Sequence, residues 1–484
     1  MKMRIDSSSL GRAVRVEIDR PKGSHHPQHG FLYPVNYGYV PGTLAPDGDA
    51  LDAYVLGVEE PLEHFEGVCV GVIHRLDDVE DKLVVTPAAA RLTAEEILQA
   101  VDFQERYFES MLTLFFPYER LTWPEAADLA RDTPLVLPLG GGYPLERLAE
   151  ALGYPARVGL LPIFPYGWRG SGLELPAAVL GEVVRNLVGS LREDGFTRAY
   201  ALLPAGCGVD VGEYGLYLKT PREPARPLPE DAQRGKVILI PFGHTEQHGY
   251  HLPLDVDTRL IEAVAERTAA AVPELAACLP VVPYGVSTHR SSFAGTLNCG
   301  GRAFEDFCIA AADVLNARGF ETLYFLSGHG GSCSYLVNAV KAVGERHPNG
   351  FAATAWLYLS GPQGIAELER HRQSRPGGMG HACELETSLY LYLNPTDVHM
   401  ERVVDEVDFI ETESYRMDWV EGGALIANPP WEDDTATGAY GAGSLGTAEK
   451  GRLWLEAAAA EKVQHVCEIL EQHRRRTEKR RRKP

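Results

Sequence analysis

From Lys236 to Asp257 the chain reads K-V-I-L-I-P-F-G-H-T-E-Q-H-G-Y-H-L-P-L-D-V-D. Val237 to Ile240, closed by Pro241, is apolar without polar alternation, the pattern of a strand buried on both faces of a parallel sheet. Glu246, His248, His251, Asp255 and Asp257 follow within a dozen residues. All are residue types that bind divalent metals, and they stand just past the strand's carboxyl end, where open α/β sheets carry their sites. A buried parallel strand running into such a cluster predicts an α/β domain with a metal-dependent site.

Two later pieces extend the cluster. The strand Thr322 to Leu326 leads into S-G-H-G-G-S, which puts His329 at a second strand end among glycines that allow close backbone approach. G-M-G-H-A-C-E-L-E-T-S-L-Y-L-Y-L-N-P, from Gly378 to Pro395, sets His381 ahead of Glu384 and Glu386 at the start of an apolar helix. Acidic residues also suit a helix start without any metal, through the helix dipole. The loop V-P-Y-G-V-S-T-H-R-S-S-F-A-G-T-L, Val282 to Leu297, offers His289 and Thr296 to a substrate.

Together these pieces resemble the creatininase family over about residues 233 to 472. Its hallmarks E-Q-H-G-x-H-L-P-x-x-x-D, G-H-G-G and G-H-A-x-E-x-E-T-S stand at Glu246 to Asp257, Gly328 to Gly331 and Gly380 to Ser388, and G-S-L-G-T-A-E-K-G at Gly443 to Gly451 opens the closing helix. The resemblance implies a three-layer α/β/α domain and two divalent ions (Zn, Mn or Fe). Glu246, His248, Asp257 and His329 would hold them, with Asp257 as the bridge. Creatininases proper carry a glutamate two residues after the G-H histidine, where this chain has Gly331. Relatives with G-H-G-G use a glutamate of the E-T-S segment, which implies Glu386 as the fifth ligand and keeps Glu384 in reserve. His381 and Glu384 are the candidate catalytic residues, His381 carrying a proton to the leaving nitrogen. The tryptophan that precedes the G-H-A histidine in creatininases proper is absent, since residues 377 to 380 are Gly, Gly, Met and Gly, which argues against creatinine as substrate.

Upstream, the chain repeats itself in shortened form. V-L-P-L-G-G-G matches L-I-P-F-G-H-T, L-L-P-I-F-P-Y-G matches L-P-V-V-P-Y-G, and G-F-T-R-A-Y-A-L-L-P-A-G matches G-F-E-T-L-Y-F-L-S-G-H-G. Leu180, Val184, Leu187, Val188 and Leu191 form one apolar helical face; Phe304, Phe307, Ala311, Val314 and Leu315 form its counterpart, and Gly195 and Gly319 suit the helix ends. Opposite Glu246, His248 and His329 the first copy has Tyr143, Leu145 and Ala205, so it is expected to be metal-free and to pack against the active half. Thr122 is a candidate helix cap, and residues 211 to 232, rich in proline, read as a linker.

The N-terminal part alternates short β-rich runs, with Val14, Val16 and Ile18 on one face and further strands at 51–56, 68–73 and 82–86, which predicts a small β-barrel. Between them lies Y-P-V-N-Y-G-Y-V-P-G-T-L-A-P-D-G-D-A-L-D, Tyr33 to Asp52, whose carboxylates suit Mg²⁺ and whose tyrosines suit phosphate. Residues 10 to 112 resemble the family I inorganic pyrophosphatases. The resemblance implies Glu17, Tyr33, Tyr37, Asp47, Asp49, Asp52, Asp77 and Asp81 as metal or phosphate positions, with Lys82 a neighbour. Two departures remove cations that would clamp pyrophosphate: K-G-S-H-H-P-Q-H-G-F-L is too short for the family's basic hairpin, and Tyr107-Phe108 replaces its Tyr-Lys pair. A binding or structural role is therefore expected ahead of hydrolysis.

These readings divide the 484 residues into a pyrophosphatase-like β-barrel of the OB type (1–115), a degenerate creatininase-like half with linker (116–232), the metal hydrolase domain (233–472) and a basic tail (473–484). With 45% hydrophobic residues, 23% charged and no long apolar run, the chain is expected to be cytoplasmic and free of membrane segments. Its net charge of −21 excludes nucleic acid as the main partner, the exception being the basic stretch Arg474 to Lys483, expected to be disordered. The eight dispersed cysteines are expected to be reduced. The function expected is a metal-dependent amidohydrolase, homo-oligomeric, that cleaves a non-peptide C–N bond (cyclic amide or formamide) of a small-molecule substrate. Hydrolysis of a cyclic ketone, sugar-derived ring or small peptide, a second pyrophosphatase activity, and a non-catalytic ligand-binding scaffold remain open from sequence.

Overall fold

The computed structural model describes residues 14–482 apart from 28, 44, 46–47, 79, 89, 220–225 and 289–291. The N-terminal elements are β1 (Val14–Arg20), β2 (Asn36–Tyr39), β3 (Asp52–Val55), β4 (His64–Arg75), β5 (Asp81–Thr86), α1 (Ala94–Glu105) and β6 (Ser110–Pro117). The middle segment contributes α2 (Trp123–Ala127), β7 (Leu135–Pro138), α3 (Leu145–Ala151), β8 (Arg157–Leu160), α4 (Ala177–Glu193), β9 (Ala199–Pro204) and β10 (Gly215–Leu218). The last half holds β11 (Val237–Phe242), α5 (Val256–Ala271), β12 (Ala276–Cys278), α6 (Gly301–Ala317), β13 (Thr322–Ser327), α7 (Gly330–Arg346), β14 (Phe351–Thr354), α8 (Pro362–His371), β15 (Met379–His381), α9 (Glu384–Leu393), β16 (Tyr440–Gly441) and α10 (Ala448–Arg481).

The stretch quoted first behaves as a two-faced strand. β11 lies between β12 and β13 in a parallel sheet of order β12-β11-β13-β14. Ile238, Ile240 and Phe242 enter one core with Phe304, Phe307 and Leu336 of α6 and α7, while Val237 and Leu239 enter another with Val264, Leu389 and Trp454 of α5, α9 and α10. Helices cover both faces, so every residue of the strand is buried and none needs to be polar.

β7 to β10 form a parallel set of order β8-β7-β9-β10, the same order and sense as the later sheet. The predicted apolar faces meet: Leu180, Val184, Leu187, Val188 and Leu191 share a core with Phe304, Phe307, Ala311 and Leu315. Polar contacts join the same two halves. Asn186 Nδ2 donates to the Cys299 carbonyl at 2.7 Å, and Tyr284 Oη donates to that of Pro162 at 2.5 Å. Gly195 and Gly319 sit just past α4 and α6 in the left-handed region, φ +92° and +88°, and Thr122 makes a capping box with Glu125.

Three expectations need correction. The small β-barrel expected of the N-terminal strands is not a separate unit: β1 pairs with both β2 and β4, but β6 pairs in parallel with β8, so these strands belong to a mixed sheet that runs through ten strands to β10. The segment read as a linker contains β10, which completes that sheet's edge beside β9. The basic tail is helical to Arg481, where Glu471 and Glu478 pair with Arg474 and Arg475 one turn away and offset part of the charge run. All eight cysteines are free, and among the described residues no helix is long and apolar enough to cross a membrane.

Candidate metal centre

β11 and β13 end side by side, so the loops that follow them converge. Glu246 and His248 come from the loop after β11, Asp257 from the first turn of α5, His329 from the turn into α7, His381 from β15 and Glu386 from the first turn of α9. All six are buried, and their ligand atoms form overlapping groups within 4.8 Å: Glu246 with His248 and His381, His248 with Asp257 and Glu386, and Glu246 with His329 and His244. Cys383 and Ala382 make the bend between β15 and α9, with Ala382 at a left-handed φ of 49°.

The tautomers follow from the main chain. His248 Nδ1 faces the Glu246 carbonyl at 3.1 Å, His329 Nε2 that of Val286 at 3.0 Å and His381 Nε2 that of Gln247 at 2.7 Å. A carbonyl only accepts, so each of these ring nitrogens carries a proton, and once the ring is neutral, as metal binding requires, the opposite nitrogen presents a lone pair. Those lone pairs aim at carboxylates: His248 Nε2 lies 3.3 Å from Asp257 Oδ1, and His329 Nδ1 lies 3.2 Å from Asp257 Oδ2 and 3.1 Å from Glu246 Oε1. His381 Nδ1 stands farther off, 3.6 Å from Glu246 Oε1. A backbone anchor on one ring nitrogen and a carboxylate-facing lone pair on the other is how metal-binding histidines are held.

The electrostatics are those of a charge cluster crowded into a buried site. Burial lowers the pKa of His329, but Glu246 and Asp257 outweigh it and push it up to about 9. His248 is likewise raised, Asp257 overcoming burial. Asp257 is held well below the usual carboxylate range in spite of its burial, by His248 and His329. Burial and repulsion from Asp257 and Glu246 push Glu386 up to about 7, against the pull of His248. His248 Nε2 and Asp257 Oδ2 are buried and fall short of hydrogen-bond geometry. Unmet donor atoms, imidazole lone pairs and carboxylates together fit borderline divalent cations such as Zn²⁺, Mn²⁺ or Fe²⁺.

The remaining sequence candidates go elsewhere. Glu384, two residues from Glu386 and therefore on another face of α9, does not reach the cluster: Lys450 Nζ lies 2.6 Å from it, and it accepts from the main-chain N–H groups of Gln373 and Ser374. Thr296 accepts from the N–H of Gln247 at 3.2 Å and so supports the loop; His289 lies outside the described residues. Asp255 is held by Arg259 at 2.9 Å and Tyr390 at 2.7 Å, and His251 Nε2 by Thr387 at 2.9 Å. His244 was missed: its Nδ1 accepts from the N–H of Gly285 at 2.9 Å, so its Nε2 bears the proton and faces Glu246 Oε2 at 3.4 Å, a positioning contact with a site carboxylate. The alternation His244-Thr245-Glu246 at a strand end was its only sequence signal.

Gly331, where creatininases proper have a ligand, is closed to one. A Cβ there would lie 2.4 Å from His329 Nε2 and 2.6 Å from the Val286 oxygen, the two ends of the bond that orients His329. Gly328 is as constrained, with the Asp257 carbonyl oxygen 2.2 Å from its Cβ position.

The cluster opens into a cavity of about 600 Å³ whose wall includes Trp356, Trp419 and Trp431. Trp419 Nε1 donates to the Gly380 carbonyl at 2.9 Å, and Trp431 packs edge-on to His381 with ring centres 5.0 Å apart. No local pattern marks these residues, because they come from two connections far apart in the chain, Trp356 from that between β14 and α8 and the other two from that between α9 and β16.

In the N-terminal domain Lys82 is buried and bridges Asp52 and Glu80, while Tyr37 Oη donates to Asp52 at 2.5 Å. Asp81 pairs with His74 at 2.6 Å, Glu17 with Arg15 at 2.8 Å, and Asp77 accepts from the N–H of Glu109 at 3.0 Å. Tyr33 is buried with its ring centre 5.6 Å from that of Tyr37. Asp49 accepts through its main-chain carbonyl from the N–H of Ala45, and Asp47 lies outside the described residues. The candidate metal groups among the described residues all belong to the last half of the chain.

A buried, histidine- and carboxylate-lined centre at parallel strand ends is of the kind that α/β metalloproteins carry. Residues 226–466 match the family model described as creatinine amidohydrolase, and residues 2–131 match that of inorganic pyrophosphatase. The chain thus matches the creatininase family model over its last half and the pyrophosphatase family model over its N-terminal part. The mycofactocin precursor peptide peptidase of Mycobacterium tuberculosis (strain ATCC 25618 / H37Rv) is 35% identical over 173 residues, 34% of this chain and 61% of that protein. The inorganic pyrophosphatase of Haemophilus influenzae is 33% identical over 99 residues, 19% of this chain and 56% of that protein. The chain spans about three-fifths of the length of the peptidases it matches. A solved manganese creatininase aligns with 50% of this chain and 93% of its own at 23% identity, with a TM-score of 0.41.

Proposed function

We propose that this chain is a divalent-metal-dependent hydrolase of an amide C–N bond. The observation that carries the reading is the set His248, His329 and His381, each tied by one ring N–H to a main-chain carbonyl with the other nitrogen turned to buried carboxylates. Glu246, His248, Asp257, His329 and Glu386 would hold two ions, with Asp257 as the bridge, since its two oxygens face different histidines. Bound there, the ions would supply Lewis acidity for a scissile carbonyl.

The rest falls to the chain's own groups. His381, whose Nδ1 is more distant from the carboxylates than the ligating nitrogens of His248 and His329, is the proton carrier to the leaving nitrogen. Gln247 fixes its tautomer through the carbonyl, and Trp431 limits its rotation. The tryptophan wall offers flat apolar surface to the substrate.

The cavity's size favours a substrate larger than a single small ring, which supports a peptide-like amide beside the cyclic amides. The M. tuberculosis relative, a precursor peptide peptidase, points the same way. Residues 116–232 are read as a degenerate copy that braces the active half, a reading supported by the shared strand order and core. The N-terminal strands, where β1 pairs with both β2 and β4, support a small barrel used for binding or assembly. The test is metal content by mass spectrometry after aerobic and anaerobic purification, followed by amine release from acyl-amino acids and cyclic amides. Fewer than about one divalent ion per chain would refute the proposal.

A further inference from the structure

The cavity holds one feature that the metal centre does not use. Its wall combines Trp356, Trp419, Met417, Leu425 and Ile426 with one arginine among the described residues, Arg416. Among the described residues the Arg416 side chain has no carboxylate partner, whereas Arg372 and Lys450 in the same half of the chain are each paired with a buried acid. The neighbouring acid in the wall, Asp418, is already taken: Arg372 holds it through two bonds of 2.9 and 2.7 Å, and the N–H groups of Gly377 and Val420 complete its shell. Those bonds, with the Gly423 N–H on the Arg416 carbonyl at 3.0 Å, fix the backbone on which Arg416 stands. Asp257 and Glu386 in the same cavity belong to the metal cluster.

We infer that Arg416 anchors the terminal carboxylate of a peptide-like substrate whose final side chain is large and apolar. The inference rests on the amidohydrolase reading of the same site. A guanidinium matches a carboxylate in shape and charge through two parallel N–H···O bonds. An isolated arginine beside a carboxylate-rich centre suits a monoanion; a phosphate dianion would call for a cluster of cations. The tryptophans, methionine and aliphatic residues beside it form a surface for an aromatic or branched side chain. The scissile bond then lies toward His381 and the carboxyl end toward Arg416, so that the substrate is cleaved near its C-terminus.

The test measures binding on the full-length, metal-loaded protein without relying on turnover. The probes are N-acetyl-alanyl-phenylalanine, its C-terminal amide, and N-acetyl-glutamyl-phenylalanine amide, which carries its carboxylate on a side chain. Quenching of the wall tryptophans and calorimetry report affinity. The wild type is expected to bind the free acid about 10- to 100-fold more tightly than either amide. Arg416→Gln should abolish that preference while leaving amide binding and metal content unchanged, and Arg416→Lys should retain part of it. Equal binding of acid and amide by the wild type, no binding of either at millimolar concentration, equal loss for both in Arg416→Gln, or preference for the side-chain carboxylate would each overturn the inference. Hydrolysis of these amides without acid preference would leave the amidohydrolase reading standing and remove the anchor. Acid preference without any hydrolysis would do the reverse.

Discussion

Replacing Gly331 by alanine tests how closely the centre is built around His329. In a helix interior Gly→Ala is ordinarily stabilising by about 1 kcal/mol, and Gly331 lies in the first turn of α7. Here the added Cβ would sit 2.4 Å from His329 Nε2 and 2.6 Å from the Val286 oxygen. Neither atom is the free end of a flexible side chain, so one must move by roughly 1 Å to reach ordinary contact, at an overpacking cost of about 1–3 kcal/mol that exceeds the helix gain. The movement also breaks the 3.0 Å bond that sets the His329 tautomer, and loss of such a supporting bond lowers metal affinity by about 10- to 100-fold. Zinc affinity measured against a chromophoric chelator should fall by that factor in Gly331→Ala and further in His329→Ala. Denaturant melts of the metal-free proteins should show Gly331→Ala less stable than wild type. A Gly331→Ala protein that binds zinc as the wild type does would refute the reasoning, because it would mean that the Val286 contact does not orient the ligand.

Asp257→Ala should abolish turnover and lower metal occupancy toward zero by mass spectrometry, since its two oxygens serve two histidine sites. Tyr143→Phe, which removes a buried hydroxyl bonded to the Leu139 and Leu202 carbonyls, should cost about 1–3 kcal/mol of stability and leave kcat unchanged. Glu119 is fully buried, neither of its oxygens makes a hydrogen bond, and burial with repulsion from Asp255 pushes its pKa from 4.5 up to about 8. The folded state then keeps a proton that the unfolded chain releases, so wild-type stability falls as pH rises from about 4.5 to 8; Glu119→Gln should match wild type near pH 5 and exceed it above pH 8, by at most about 5 kcal/mol in thermal melts. Phosphate release from pyrophosphate with Mg²⁺ should be slow in the full chain; fast release abolished by Asp52→Ala would make it bifunctional. The full chain is used because β6 pairs with β8, and cutting after residue 115 would expose that edge.

Much of the centre was legible because its determinants are local. Val237 to Ile240, short, rich in β-branched residues and closed by Pro241, read as a strand buried on both faces, and Glu246, His248 and Asp257 follow it within one loop and one helical turn. The facing helices were readable from their apolar stripes, and Gly195 and Gly319 from the left-handed turns that only glycine takes easily. Tertiary structure decided what those faces and loops meet. Glu384 and Glu386 are equivalent as residue types, but a helix turns neighbours two apart to different sides, and the contact of α9 with α10 gave one to Lys450 and left the other facing His248 and Asp257. β10 looked like a proline-rich connection, since four residues at a sheet edge become a strand only through their long-range pairing with β9. The tryptophan wall and Arg416 had no sequence signature at all: a cavity is made by side chains from distant loops converging on one space, and periodicity along the chain encodes which way a residue points, never what will stand opposite it.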